Sequence, residues 1–173
     1  ASHSTYRPVA VYASDVNGDG ITELPRAVLM AGYKDTSSSD AVYMLDWYAY
    51  GIGKVPTKVA TTYQNISDAW SLLIDQKWHD RITAIKANDG GLSYVEFFEY
   101  RKNKMSIPLF NIYCATGSNR EYYAERTDLI QLGQTTQAIY FAKLTNEGEQ
   151  SELALTGDEI KARFSLVNQA WNN

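Results

Sequence analysis

Cysteine and histidine are scarce in this sequence, with one cysteine and two histidines among 173 residues. The single cysteine, Cys114, excludes an internal disulfide framework, and no cysteine and histidine cluster has zinc spacing. Cys114 lies in the apolar run IPLFNIYC, which is typical of a buried small side chain. A chain so poor in cysteine fits the cytosol, and it equally fits bacterial surface proteins that use few disulfides.

Long apolar runs and strongly basic segments are also missing. No apolar run approaches the roughly 18 residues that a membrane-spanning helix needs, and no signal peptide is recognisable. Lys and Arg total 16 against 20 Asp and Glu, which argues against nucleic acid or an anionic membrane as a partner. The short basic run RKNK, at residues 101–104, is typical of an exposed hairpin tip between two strands.

Aromatic residues, by contrast, are abundant: the chain has 13 Tyr, 5 Phe and 4 Trp, a composition that favours β-strands. Hydrophobic residues make up 45% and charged residues 21%, which are ordinary values for a globular protein. Segments with strand character, bounded by turn residues, are 8–14, 24–31, 41–50, 81–87, 92–100, 105–114 and 135–144.

Two segments have helical spacing instead. Apolar residues at intervals of three and four predict a helix over residues 67–77. Thr156 and Glu159 form a capping box, which predicts a second helix over residues 157–171. The apolar faces of these helices consist of Ile66, Trp70, Leu73, Ile74 and Trp78 in the first and of Ile160, Phe164, Val167 and Trp171 in the second.

The strands at 92–100 and 135–144 carry large apolar side chains on both faces, so a sheet built from them must be covered on both faces. The two predicted helices are the available covers. We therefore predict an α+β fold, in which an antiparallel sheet is covered by two helices and preceded by a strand–loop–strand element. The predicted organisation is a β-rich segment over residues 1–62 and an α+β layered domain over residues 63–173.

The loop between the first two predicted strands has the sequence DVNGDGITE, residues 15–23. A hard cation such as Ca²⁺ needs six to eight oxygen ligands, which must converge from several positions of one tight turn. The side chains of Asp15, Asn17, Asp19 and Glu23 and the carbonyl of Ile21 give five ligand positions, which water would complete. The alternative is a polar turn without metal.

The spacing distinguishes this loop from an EF-hand, which requires a glutamate at its twelfth position. That position is Arg26 here, and the flanking segments are strand-like. The pattern D-x-N-x-D-G-x-x-E between two strands resembles the calcium loop of FG-GAP and integrin-alpha-type repeats, and of the VCBS-like repeats of bacterial surface proteins and lipoproteins. The resemblance covers residues 9–31 and implies a calcium loop joining two strands of a propeller blade. The second half is similar in outline to PsbP/Mog1-like α/β/α sandwiches, which are usually binding or assembly modules.

Catalytic residues are not recognisable. His79 stands beside Asp80 without a serine or cysteine in a nucleophile setting. Glu96 and Glu99 fall on opposite faces of one strand, so they do not flank one bond as glycosidase carboxylates do. Exposed aromatic residues in loops could bind sugars or peptides, although core packing explains most aromatic residues in strands.

These observations predict a non-enzymatic, calcium-binding module of a bacterial cell-surface or secreted protein, with a role in extracellular ligand recognition or adhesion. A glycan or a peptide is the expected ligand. We expect the sequence to be the C-terminal part of a longer protein, which could carry a lipid anchor upstream. The alternatives are an accessory or catalytic domain of an enzyme active on cell wall or polysaccharide, and a cytoplasmic protein with a metal-free acidic turn.

Overall fold

The computed structural model describes residues 9–34, 40–89, 92–118 and 120–167. These residues form two antiparallel five-stranded sheets. The first sheet has the strand order β1-β2-β3-β4-β10. Its members are β1 (Leu24–Leu29), β2 (Tyr43–Ala49), β3 (Thr57–Asn65), β4 (Trp70–Leu73) and β10 (Phe164–Leu166).

The second sheet has the order β5-β6-β7-β9-β8. Its members are β5 (Ile82–Asp89), β6 (Leu92–Arg101), β7 (Lys104–Thr116), β8 (Ile130–Gln134) and β9 (Ala138–Leu144). Strands β5, β6 and β7 form a meander of hairpins. The tip between β6 and β7 is the basic run predicted to be a turn, and its central residues Lys102 and Asn103 both have positive φ, as a tight two-residue hairpin requires.

Helical structure in the described residues is short. It consists of α1 (Arg120–Ala124), α2 (Gly157–Arg163) and two 3₁₀ turns, Gln76–Trp78 and Gly148–Gln150. None of these helices is long and apolar enough to cross a membrane.

The core lies between the two sheets, and aromatic residues form its centre. The ring of Tyr63 on β3 meets the edge of Phe97 on β6, with centroids 5.5 Å apart. Phe97 in turn stacks on Phe110 of β7 at 4.9 Å. Trp78 is fully buried and its indole N–H donates to the Leu153 carbonyl at 2.9 Å. The two sheets therefore share one continuous hydrophobic core.

The predicted α+β fold class is wrong, because the described residues are 49% strand and only 12% helix. Another sheet, and not a helix, covers the inner face of these strands, and the outer face of β6 is only half-buried. On the outer face of the second sheet, Ala115, Ile139 and Phe141 form a smaller cluster, against which Tyr123 of α1 and Leu129 pack. Sequence patterns show that a face is apolar; they do not show whether a helix or a sheet covers it.

The helix predicted over residues 67–77 is also wrong, because Trp70–Leu73 forms strand β4. Trp70 and Leu72 are buried whereas Leu73 is 39% exposed, so the inward positions alternate as in a strand. Ala69 has a positive φ of 55°, which is incompatible with a continuous right-handed helix. The apolar residues fit both periodicities, and pairing with β3 decides in favour of the strand.

The C-terminal helix begins as predicted but ends early. Thr156 and Glu159 form the capping box, with the Thr156 hydroxyl accepting from the Glu159 N–H. The helix stops at Arg163, and Phe164–Leu166 becomes β10, which pairs with β4. Of the predicted face residues, Ile160 and Phe164 are buried whereas Val167 is 38% exposed; Trp171 lies outside the described residues.

Several predicted strands are confirmed. The segments 24–31, 41–50, 81–87, 92–100, 105–114 and 135–144 correspond to β1, β2, β5, β6, β7 and β9. The segment 8–14 is not a strand over its described part, residues 9–14, where only Ser14 forms an isolated bridge to Glu23. The division of the chain at residues 62 and 63 stays a prediction.

Replacing Phe97 with alanine tests the role of the inter-sheet aromatic contacts. We expect Phe97→Ala to lower the free energy of unfolding by about 3–5 kcal/mol, because it removes a fully buried ring and leaves a cavity. Urea denaturation would measure it. Phe98→Ala is the matched control: Phe98 is half-buried on the opposite face of β6 and should cost roughly half as much. Equal losses for both variants would contradict this assignment.

Candidate metal-binding loop

The acidic loop is closed at its base by a pair of backbone hydrogen bonds. The Ser14 N–H donates to the Glu23 carbonyl at 3.1 Å, and the Glu23 N–H donates to the Ser14 carbonyl at 2.9 Å. Residues 15–22 therefore form a loop that is closed at its base and leads directly into β1. Gly18 and Gly20 have φ values of 76° and 83°, in the left-handed region that glycine adopts without strain.

The carboxylate of Asp15 organises the loop. Its Oδ1 accepts N–H groups from Gly18 at 2.7 Å and Asp19 at 3.1 Å, and its Oδ2 accepts from Gly20 at 2.8 Å. These backbone donors, that of Gly20 foremost, lower the pKa of the Asp15 carboxyl below its usual value. The loop thus turns its N–H groups inward around the carboxylate at its first position.

Asn17 and Asp19 lie beside each other. The Asn17 Nδ2 donates to Asp19 Oδ2 at 2.9 Å, and the Asp19 N–H donates to Asn17 Oδ1 at 3.1 Å. Asp19 Oδ1 also accepts the Ile21 N–H at 2.8 Å. The first three predicted ligand residues are therefore gathered into one turn by hydrogen bonds among their own side chains and backbone.

Glu23 differs from the other predicted ligands because it is fully buried. Its Oε2 accepts the Val16 N–H at 2.9 Å. Its Oε1 is shielded from solvent and has no hydrogen-bond partner in the described part of the chain. A buried carboxylate oxygen without a partner is costly, so this atom is an orphaned acceptor at the base of the loop.

The donor set suits a hard cation, since it consists of carboxylate, amide and carbonyl oxygens. The structure places Asp15, Asn17 and Asp19 in one turn and Glu23 beneath it. Within the described residues, however, no three His, Cys, Asp or Glu side chains are arranged as a ready metal cluster. The oxygens of Asp15 and Asp19 instead accept loop N–H groups. The orphaned Oε1 of Glu23 is the feature of this loop that a cation would satisfy.

The other residues considered for catalysis are not assembled into a site. His79 Nδ1 lies 3.2 Å from Asp80 Oδ2 in an exposed pair. Glu99 is fully buried, where it forms ion pairs with Arg81 and Arg101 and accepts a hydrogen bond from Ser151. Glu99 therefore anchors the end of β6 to the turn that contains Ser151.

Sequence patterns also missed a cleft between β3 and the segment after β4, to which residues 58–61, 73–76, His79 and Arg163 contribute. Lys58 and Arg163 are more than a hundred positions apart in the chain, so no local pattern links them. The sequence shows only that each of these two residues is basic, and it does not indicate that they lie in one cleft.

Cys114 is buried among polar groups rather than exposed as a reactive thiol. Burial raises its pKa to about 11, whereas hydrogen bonds with Tyr140 and Ser93 lower the pKa. The Tyr140 hydroxyl donates to the Asp68 carbonyl at 2.8 Å, and Asp68 Oδ2 accepts from Ser93 Oγ at 2.8 Å. This polar cluster links the two sheets and keeps the thiol protonated at neutral pH.

Comparison with known proteins gives no relative. A scan of protein-family models found no match, and searches of curated proteins and of solved structures found no significant match.

Asp15→Asn tests whether this carboxylate organises the loop. The amide has one acceptor oxygen in place of two, so we expect a lower urea midpoint at pH 7 in EDTA. Because the folded pKa lies below the ordinary value of 3.8, the stabilisation is present above that pH and is lost as pH falls through the folded pKa. The difference from wild type should therefore shrink at about pH 3. Glu125→Gln, which removes the same charge at an exposed position, is the control. A difference between Asp15→Asn and wild type that does not depend on pH would contradict the assignment.

Cys114 provides a second pH-dependent prediction. Because the fold raises the thiol pKa from 9.0 to about 11, the associated stability is present below pH 9 and is lost as pH rises through 11. We expect Ellman's reagent to react slowly with the native protein at pH 8 and rapidly in guanidinium. Cys114→Ala should remove this reaction and reduce the loss of urea stability between pH 9 and 11. An equally fast reaction in the native protein would show that the thiol is accessible.

Proposed function

We propose that this chain is a non-enzymatic, calcium-binding module of a bacterial cell-surface or secreted protein, in which the Asp15–Glu23 loop binds the ion and is stabilised by it. The module would recognise a ligand outside the cell. The observation that supports calcium binding is the orphaned Oε1 of Glu23, a fully buried carboxylate oxygen at the base of an oxygen-rich loop. The D-x-N-x-D-G-x-x-E spacing supports the same proposal.

A bound cation would supply a positive counter-charge to the buried Glu23 carboxylate. Asp15, Asn17 and Asp19 are the side chains of the turn that would provide further oxygens, and the Ile21 carbonyl is the remaining ligand position. Asp15 and its three N–H donors already hold the turn closed, so ion binding would order few additional residues. The role of the ion would be structural rather than catalytic.

An extracellular location agrees with this kind of site. A single exposed loop completed by water has the character of the weaker sites in extracellular modules, whose dissociation constants are about 10⁻⁴ to 10⁻³ M. Free calcium at that level is available outside cells. The rival proposals remain a domain of an enzyme active on cell wall or polysaccharide, and a cytoplasmic protein in which the loop binds no metal.

Thermal unfolding in EDTA and in millimolar CaCl₂ tests the proposal. At 10 mM, which is about 10 to 100 times the dissociation constants given above, calcium would add about 1.4 to 2.7 kcal/mol, which corresponds to a rise in Tm of roughly 3–11 °C for this size. We expect this rise in the wild type and in the distant control Glu125→Gln. Asp19→Ala should lose it, because the variant lacks the central carboxylate of the loop.

Glu23→Gln gives a matched and more specific readout. It keeps the shape and the acceptor for the Val16 N–H but removes a buried charge. In EDTA we expect the variant to be at least as stable as wild type, whereas its response to calcium should be reduced. If calcium raises the Tm of wild type, Asp19→Ala and Glu23→Gln equally, or of none, the loop is a polar turn and the calcium proposal is wrong.

A further inference from the structure

The first sheet contains an interruption in its strand pairing. Strand β3 runs from Thr57 to Asn65, but its pairing with β4 covers only residues 62–65. The last backbone bond on this side is from the Ile74 N–H to the Thr61 carbonyl, at 2.8 Å. Within the described residues, no strand pairs with residues 57–60 on the side of β4. Among the described residues, that stretch of β3 is therefore an unpaired edge on the side that faces β4.

A cleft of about 290 Å³ lies against this edge. Residues 58–61 of β3 form one wall, and residues 73–76 with His79 and Arg163 form the others. The pairing of this stretch with β2 leaves out Val59, so it contains a β-bulge and is slightly shorter than the roughly 10 Å that four regular strand residues span. This length matches about three residues of an extended peptide. Open strand edges bind extended peptides through backbone hydrogen bonds, with nearby side chains providing specificity.

The lining of the cleft carries two cations and one carboxylate, although the protein has a net charge of -4. Its charged lining groups are Lys58, Arg163 and Asp75, together with the titratable His79. The carboxylate of Asp75 is already engaged, since Oδ2 accepts from Arg163 Nη2 at 2.9 Å and Oδ1 accepts the Lys77 N–H at 3.0 Å. Lys58 is only loosely paired, with its Nζ 3.5 Å from Asp46 Oδ1.

Arg163 is the second basic residue that lines the cleft. Its Nε is shielded from solvent and has no hydrogen-bond partner in the described part of the chain. Arg163 is the last residue of α2, immediately before β10, so its position depends on the early end of that helix. Two basic side chains and an open backbone edge thus meet in one cleft.

We propose that this cleft binds an acidic peptide segment in extended conformation, which adds to β3 in line with β4. The open edge provides backbone donors and acceptors, and Lys58 and Arg163 provide charge complementarity to Asp or Glu side chains of the peptide. The inference names a partner for the recognition role proposed above, and it does not depend on calcium, because the cleft and the acidic loop share no residue.

Fluorescence anisotropy tests the proposal with a labelled hexapeptide of alternating glutamate and valine. We expect saturable binding at low ionic strength, in EDTA and in calcium alike. A peptide of alternating lysine and valine should bind at least about tenfold more weakly. The same acidic peptide with alternate backbone nitrogens methylated cannot complete strand pairing, and it should also lose about tenfold in affinity.

Lys58→Glu and Lys86→Glu form a matched pair of variants. Lys86 is exposed on β5, outside the cleft, so Lys86→Glu makes the same change in net charge elsewhere. We expect Lys58→Glu to weaken the acidic peptide by about tenfold and Lys86→Glu to leave its affinity unchanged. Circular dichroism and thermal unfolding would show that both variants are folded.

Four results would overturn the proposal: no binding, equal binding of the methylated peptide, equal effects of the two lysine variants, or equally strong competition by inorganic phosphate. Competition by phosphate would indicate a site for small anions. The absence of binding would indicate that Lys58 only protects an open edge from aggregation. Loss of peptide binding with an intact calcium-dependent rise in Tm would overturn this inference alone. Peptide binding without any calcium response would overturn the calcium proposal alone.

Discussion

The aromatic contact between the two sheets is the interaction on which the rest of the structure depends. Tyr63 of the first sheet meets Phe97 of the second, and Phe97 stacks on Phe110. This packing requires β3 and β6 to face each other, and Trp70 on β4 then lies against Tyr63, with ring centroids 5.4 Å apart. Residues 70–73 therefore adopt an extended conformation, and β4 ends where the cleft begins.

Three buried carboxylates differ in the partners that compensate their charge. Glu99 is neutralised by Arg81 and Arg101, and Asp46 accepts from the Thr61 hydroxyl at 2.6 Å with Lys58 nearby. Glu23 is equally buried, yet one of its oxygens has no partner among the described residues. Since buried charge is normally paired, this difference is the physical basis of the proposal that the acidic loop binds a cation.

The loop and the cleft differ in how far sequence could predict them. All five proposed ligand positions fall between Asp15 and Glu23, so a local pattern identifies them, as a local pattern identifies the Thr156 capping box. The burial of Glu23 and its unpaired oxygen were not predictable, because they depend on surrounding strands. Lys58 and Arg163 come together only because β4 stops early and α2 gives way to β10, which are consequences of long-range strand pairing.

The sequence by itself determined the meander of β5, β6 and β7, the hairpin tip at Lys102 and Asn103, and the start of α2, because alternation, turn chemistry and capping act over a few residues. Only the tertiary structure decided that residues 70–73 and 164–166 are strands. Their apolar residues fit a helix as well as a strand, and both segments became strands because β4 can pair with β3 on one edge and with β10 on the other. The fold class therefore differs from the predicted one, because the inner faces of the two sheets cover each other and are not covered by helices.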